Sequence, residues 1–120
     1  MSSNPSVRCY AVGLLSDVEV SPDLISYIEQ IESTFQPFQG EWMVHGSEPA
    51  VLEGQFGANI VIIGFPSSRC ARAWYESVAY HELIRLRAEN SRSVILLVEG
   101  VPAGYRATET AAKLKAMHRM

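Results

Sequence analysis

The chain lacks the features that mark several large classes of protein. Among 120 residues, ten Lys and Arg stand against thirteen Asp and Glu, a net charge of −3, so there is no basic field for nucleic acid or an anionic membrane. Two cysteines, Cys9 and Cys70, are too few and too far apart for a disulfide framework or a metal knuckle. They indicate reduced thiols in a cytoplasmic protein. The opening residues show no apolar signal core, and the apolar runs are too short to span a bilayer.

Motifs that hold cofactors or metals are also missing. The sequence has no glycine-rich phosphate loop, no paired-cysteine motif, no His-Glu-x-x-His and no Gly-x-Ser-x-Gly turn. We therefore expect neither a cofactor nor a metal. Chemistry in so small a protein would depend on a shaped pocket and one or two groups that transfer protons.

What the chain does contain is an alternation of strand and helix signals. Ser21 can cap a helix that begins at Pro22, and a later helix that follows Pro66 should break near Ser77. Strands are predicted at residues 8–15, in one or two short pieces joined by a turn within 42–54, at 58–65 and at 91–100. The order β-α-β-β-α-β is the ferredoxin-like arrangement, an α+β fold in which both helices cover one face of an antiparallel sheet.

The strands IVIIGF (60–65) and VILLVEG (94–100) are apolar on both faces. An antiparallel sheet with one wet face should instead alternate apolar and polar residues. The face without helices therefore needs a cover, and a second copy of the sheet is the natural one, which predicts a homodimer. We expect one domain over residues 1–101 and a tail over 102–120. The tail should form a short helix, capped by Thr108, that clasps the partner subunit or frays.

Three segments resemble the family called domain of unknown function 1330: VLEG (51–54), the long run 61–87 and ILLVEGV (95–101). The resemblance covers Tyr10 to Val101 and implies a dimeric α/β barrel built on the ferredoxin-like fold. The wider superfamily includes cofactor-free monooxygenases, cyclases, isomerases and lyases, with the pocket between helices and sheet. This chain has Gly64 where the family often has Glu, which removes a general base borrowed from that position and opens space in the strand. It also has Gln39-Gly40 where the family often has Gly-Gly.

His45 and Arg87 are the residues most able to carry chemistry. His45 is the histidine of the predicted sheet and can exchange a proton near neutral pH, although an exposed hairpin histidine is the slightly favoured interpretation. Arg87 falls on one helical stripe with Tyr80, so its guanidinium lies on the apolar side. A buried arginine needs a carboxylate partner or an anionic ligand. Glu53 or Glu99 can provide this carboxylate. A structural ion pair with one of them is the favoured prediction, because buried charges are usually paired.

Other polar and aromatic residues have weaker claims. Glu53 is expected to be mainly structural, bonded to backbone or to an arginine, and is kept as a candidate substrate contact. Trp74 and Tyr75 are core or dimer-seam aromatics that can also contact a substrate. Cys70 is expected to be inert.

These residues favour a cofactor-independent enzyme that acts on a small organic acid or an aromatic metabolite. The chemistry would be isomerisation, cyclisation or lyase chemistry, with His45 moving the proton while Arg87 and Tyr80 orient an anionic or enolic group. A non-catalytic dimeric protein that binds a small molecule is the alternative. A cofactor-free monooxygenase ranks third.

Overall fold

Within residues 7–119, the part of the chain that this computed structural model describes, four strands and four α-helices follow the predicted order. The strands are β1 (Cys9–Ser16), β2 (Glu41–Val44), β3 (Asn59–Phe65) and β4 (Arg92–Glu99). The helices are α1 (Pro22–Phe35), α2 (Ser68–Tyr75), α3 (Val78–Ala88) and α4 (Ala107–His118), with a 3-10 turn at Gln36–Phe38. Residues 1–6, which were expected to hold no signal core, and residue 120 lie outside the described part. The order confirms the ferredoxin-like α+β fold.

The sheet is antiparallel throughout, with the strand order β2-β3-β1-β4. In its centre, Ala11 lies opposite both Ile63 and Leu97. Because side chains alternate along a strand, odd-numbered residues of β1, β3 and β4 share the face that the helices cover. Even-numbered residues such as Val12 point to the other face.

Serine caps explain where three helices begin. The hydroxyl of Ser21 accepts a hydrogen bond from the backbone N–H of Leu24. In the same way, Ser67 accepts from the N–H of Cys70 and Ser77 from the N–H of Tyr80. Each cap satisfies an amide that would otherwise lack a partner, which is worth about 1 kcal/mol. Ser77 separates α2 from α3, so the predicted break is confirmed.

The segment 42–54 and the tail helix differ in detail from the predictions. Of the one or two short strands predicted in the segment, one forms, Glu41–Val44, and residues 45–58 form a loop. Gly46 and Gly54 adopt φ values of +83° and +82° there, a backbone conformation that ends an extended run. The tail helix is capped at Arg106 rather than at Thr108, and the Glu109 carboxylate accepts the Arg106 backbone N–H.

The aromatic core fills one end of the space between sheet and helices. Trp74 packs against Phe65, and its indole N–H donates to Thr34 Oγ1 at 2.9 Å. Gly40 is required beside this cluster because a Cβ there would lie 2.9 Å from the rings of both Phe35 and Phe65. The opposite end of the same space is not filled, and it holds the cavity described below.

The sheet face without helices is exposed in the single chain. Val94, Leu96 and Val98 are 52%, 45% and 49% exposed, which is unusual for three neighbouring apolar residues on one strand. Helix α4 buries none of its side chains. The homodimer that this surface calls for stays a prediction, as does the division at residue 101.

Gly64 lies on that uncovered face and not toward the helices, because it pairs with Tyr10 of β1. A Cβ at Gly64 would lie 2.7 Å from Arg8 Nη2 and 3.0 Å from Met43 Sδ. The space that this glycine was expected to open is therefore taken. Arg8 crosses it to form an ion pair with Glu41 at 2.8 Å.

Candidate functional site

A cavity of about 260 Å³ lies between the helix-covered face of the sheet and helices α1 and α3. Ala11, Gly13 and Ile63 contribute to its floor, and Tyr27 and Ile31 of α1 form part of its roof. Most of the lining is apolar. A few polar groups converge on an otherwise apolar cavity, which is the usual composition of a small-molecule site.

The cavity exists because the middle of the central strand carries very small side chains. Ala11 and Gly13 follow one another on the helix-covered face of β1. A Cβ at Gly13 would lie 3.3 Å from Leu15 Cδ1 and 3.4 Å from Ile95 Cδ1. Glycine therefore lets these two neighbours lie close to the strand, which keeps the floor low.

Arg87 lines the cavity and is only 5% exposed. Its Nη1 donates to Ser93 Oγ at 2.5 Å, and its Cζ lies 6.0 Å from the centroid of the Tyr27 ring. Its Nε–H is buried and has no acceptor among residues 7–119. The favoured prediction of a structural ion pair is wrong, because no described carboxylate lies within 4.0 Å of this guanidinium.

The geometry of the chain explains why neither predicted carboxylate reaches Arg87. Glu99 stands at the far end of β4 from Ser93, which is about 20 Å along the strand. Glu53 lies exposed in the loop 45–58. No hydrogen bond or ion pair joins the Glu53 carboxylate to another described residue, so the structural role expected for it is not found.

Two buried phenols stand beside the guanidinium. Tyr27 Oη and Tyr80 Oη are 2.8 Å apart. Desolvation by burial, with the neighbouring Tyr80, raises the pKa of Tyr27 far above its usual value, so this phenol keeps its proton at pH values where a free tyrosine ionises. Burial acts to lower the pKa of Arg87, but Tyr80 and Tyr27 outweigh it and raise that pKa. The arginine is therefore a permanent cation.

Hydrogen-bond donors outnumber acceptors at this end of the cavity. One phenol hydrogen lies between the two oxygens, and the second has no acceptor in the described part of the chain. Together with the Arg87 Nε–H, the site presents two unused donors and a positive charge. A group rich in acceptors and negative in charge, such as a carboxylate or an enolate, complements it.

His45 lines the same cavity as Arg87. The prediction that His45 lies in the sheet is wrong, because β2 ends at Val44 and His45 begins the loop that follows. Its ring stacks on Trp42 with centroids 4.3 Å apart, and the residue is exposed. Strands β2 and β4 are the two edges of the sheet, separated by three strand spacings or about 14 Å. The cavity therefore runs from a histidine at one edge toward an arginine near the other.

The remaining predicted site residues differ in whether they line the cavity. Tyr80 and Trp74 line the cavity, whereas Tyr75 and Glu53 do not. Tyr75 packs edge-on against Trp74 at 6.1 Å, outside the cavity.

Sequence reasoning missed three residues that shape the site: Tyr27, Ser93 and Gly13. Tyr27 follows the apolar stripe of α1 but carries a hydroxyl. Ser93 is a polar residue on the helix-covered face of β4, next to the apolar middle of that strand. Both signals are visible in the sequence once the register is known.

Among residues 7–119, no three His, Cys, Asp or Glu side chains are grouped so that they could hold a metal ion. In the same part of the chain, no helix has both the length and the apolar character that a bilayer crossing requires.

Comparison with solved structures places this fold among known ones. RPA0582 of Rhodopseudomonas palustris, a protein of unknown function, superimposes with a TM-score of 0.61 at 14% identity, over 80% of this chain and 84% of that one. A hydroxynitrile lyase from Passiflora edulis superimposes with a TM-score of 0.53 at 17% identity, over 85% of this chain and 99% of that one. At such identities the likeness shows the fold alone.

Sequence comparison gives the family. No curated protein matches the chain. The model of one family, described as "Domain of unknown function (DUF1330)", matches residues 8–101. That match covers strands β1 to β4 and helices α1 to α3, and the protein belongs to the DUF1330 family.

Proposed function

We propose that the protein is a cofactor-independent enzyme that binds a small organic acid in this cavity and moves a proton on it. The observation that carries the proposal is the buried Arg87, whose Nε–H faces no acceptor among the described residues. A buried charge without a partner costs several kcal/mol of folding free energy. Such a cost is tolerated most readily where a ligand supplies the missing charge.

The donors at the Arg87 end fit an oxyanion. The Nε–H of Arg87 and one phenol hydrogen of the Tyr27–Tyr80 pair are held in place by packing before any ligand arrives. Preorganised donors in a site that excludes water stabilise developing negative charge strongly. A carboxylate, or the enolate formed beside one, would receive these donors.

His45 is the proposed proton-transfer group at the other end. A ring nitrogen would take a proton from a carbon next to a carbonyl, so that the C–H bond breaks and an N–H bond forms. The electron pair moves onto the carbonyl oxygen to give an enolate. Return of the proton at another atom completes an isomerisation, and departure of a β-substituent completes a lyase reaction. Because His45 is exposed, its ring can exchange the proton with water and return to its starting state.

The fold likeness gives modest further support. The similar structure from Passiflora edulis is a hydroxynitrile lyase, so this fold can host lyase chemistry. Fold alone does not carry activity from one protein to another, and the proposal rests on the cavity.

A non-catalytic binding protein is the second candidate, and the stacking of His45 on Trp42 favours it. A ring held at 4.3 Å against an indole is fixed by packing and does not need a catalytic role. In that case Arg87 would hold the ligand and His45 would only border the entrance.

Hydrogen–deuterium exchange separates these two functions without knowledge of the full reaction. 4-Acetylbenzoate and levulinate carry exchangeable protons beside a carbonyl that is separated from the carboxylate by a ring or a chain, so the acid can reach Arg87 while those protons lie toward His45. NMR in D2O measures how fast the protein replaces them with deuterium. We expect exchange above the spontaneous rate, lost in His45→Gln while calorimetric binding of the acid stays within about threefold. Binding without exchange in the wild type would favour the binding protein. Absence of both binding and exchange would contradict the proposed site.

A further inference from the structure

The size of the cavity limits the ligand. At about 30 Å³ for each water-sized group, the cavity of about 260 Å³ holds roughly nine such groups. This volume lies just below the usual range for ligand pockets, which begins at about 300 Å³. A molecule of about ten non-hydrogen atoms matches this volume, and a two-ring acid exceeds it.

The walls favour a flat ring. Four aromatic side chains line the cavity: Tyr27, Trp42, Trp74 and Tyr80. Aromatic rings that meet edge-on or in an offset stack attract one another beyond the burial of their area. An aromatic ligand would therefore gain more from these walls than an aliphatic one of equal size.

Gly13 sets the depth of the floor. A glycine in the interior of a strand weakens the sheet, and it often marks a place where a ligand approaches the backbone closely. Gly13 has β3 and β4 on either side, where a larger residue would normally be favoured. Even one methyl group there would press on Leu15 and Ile95 at 3.3 and 3.4 Å. A valine would force these side chains toward the cavity.

From these observations, and resting on the proposed role of Arg87, we infer that the ligand is a single-ring aromatic carboxylate whose size is limited by Gly13. The carboxylate receives the Arg87 and phenol donors, and the ring lies over the floor at Gly13. The volume sets the size of the ligand, the aromatic walls favour a ring, and the donors at Arg87 call for the carboxylate.

A panel of commercial acids tests the ligand class on the wild-type protein. Benzoate is the reference, benzamide removes the charge, cyclohexanecarboxylate removes the flat ring and 2-naphthoate adds a second ring. Isothermal titration calorimetry should give the tightest binding for benzoate, with each of the other three weaker by at least about fivefold. Equal binding of 2-naphthoate or of cyclohexanecarboxylate would overturn the inference.

Variants of Gly13 test the floor. We expect Gly13→Val to weaken benzoate by at least about tenfold, which corresponds to roughly two buried CH2-sized contacts, while a short acid such as propionate loses less than about threefold. Gly13→Ala should also weaken benzoate more than propionate, but by smaller factors. It replaces the valine variant in the test if that variant does not fold. Gly57→Val is the matched control, because a Cβ at Gly57 meets no atom within 4 Å.

The results separate the two levels of the proposal. If Arg87→Met abolishes carboxylate binding but Gly13→Val changes the affinities for benzoate and propionate by the same factor, the ligand class is wrong and the anion site stands. If no carboxylate on the panel binds the wild type, the anion site itself is wrong.

Discussion

Replacing Arg87 by methionine should leave the unliganded protein as stable as the wild type or more stable. The two side chains share an unbranched stem, so the change removes the charge with little change in shape. The substitution destabilises the protein by removing the charged hydrogen bond to Ser93, worth about 1.5–3 kcal/mol, and the contact with the Tyr27 ring, worth about 1 kcal/mol. It stabilises the protein by removing a buried charge, whose desolvation costs several kcal/mol.

These opposing contributions nearly cancel. We expect the free energy of unfolding of Arg87→Met to lie between the wild-type value and about 2 kcal/mol above it. Had Arg87 formed a buried ion pair with a glutamate, its removal would instead cost about 3–5 kcal/mol. The two cases differ by more than the error of a denaturation experiment.

Urea unfolding at neutral pH, without ligand and at one fixed protein concentration, measures the difference. Arg85→Met is the control, because Arg85 is on the same helix but exposed and forms only a surface pair with Glu89 at 3.4 Å, worth less than about 1 kcal/mol. A loss of 3 kcal/mol or more in Arg87→Met alone would refute the reasoning, since it would require a partner charge.

Three further predictions concern assembly, the core and alkaline pH. Light scattering at micromolar concentration should give about twice the 13.3 kDa chain mass. Leu96→Lys, on the uncovered sheet face, should lower this mass toward that of one chain, and a stable wild-type monomer would contradict the dimer. Thr34→Val should lower the free energy of unfolding by about 1–3 kcal/mol, because the buried Trp74 N–H loses its acceptor, whereas the exposed Ser33→Ala should cost less than about 0.5 kcal/mol. Tyr27 keeps its proton in the folded state above pH 10, where an unfolded tyrosine releases it, so stability should fall as pH rises past 10, by up to about 1.4 kcal/mol per pH unit. Tyr27→Phe should make that fall shallower, and an unchanged slope would count against the buried phenol.

The fold could be predicted because its signals are local. Ser21 followed by Pro22 begins a helix wherever it stands, and the break at Ser77 has the same cause. The choice between one and two strands in 42–54 could not be made, because apolar composition does not reveal where the backbone takes a positive φ, as at Gly46. Strand propensity alone is weak evidence when a partner strand is absent.

The candidate site could be predicted only in part. Helical spacing places Arg87 on the buried side, but its surroundings depend on the register of β4. That register puts Ser93 beside the guanidinium and carries Glu99 to the far end of the strand. Gly13 gave no signal because a missing side chain becomes informative only when its neighbours, here Leu15 and Ile95, are known.

The most direct test of the anion site observes the Arg87 Nε–H itself. Its resonance can be resolved in a ¹⁵N-labelled sample and assigned by its loss in Arg87→Lys. Addition of benzoate should shift this resonance in a saturable way and slow its exchange with water, because the donor gains an acceptor it lacks in the free protein. If the Arg87 Nε–H does not move at benzoate concentrations that saturate calorimetric binding, the carboxylate binds elsewhere and the proposed site is wrong.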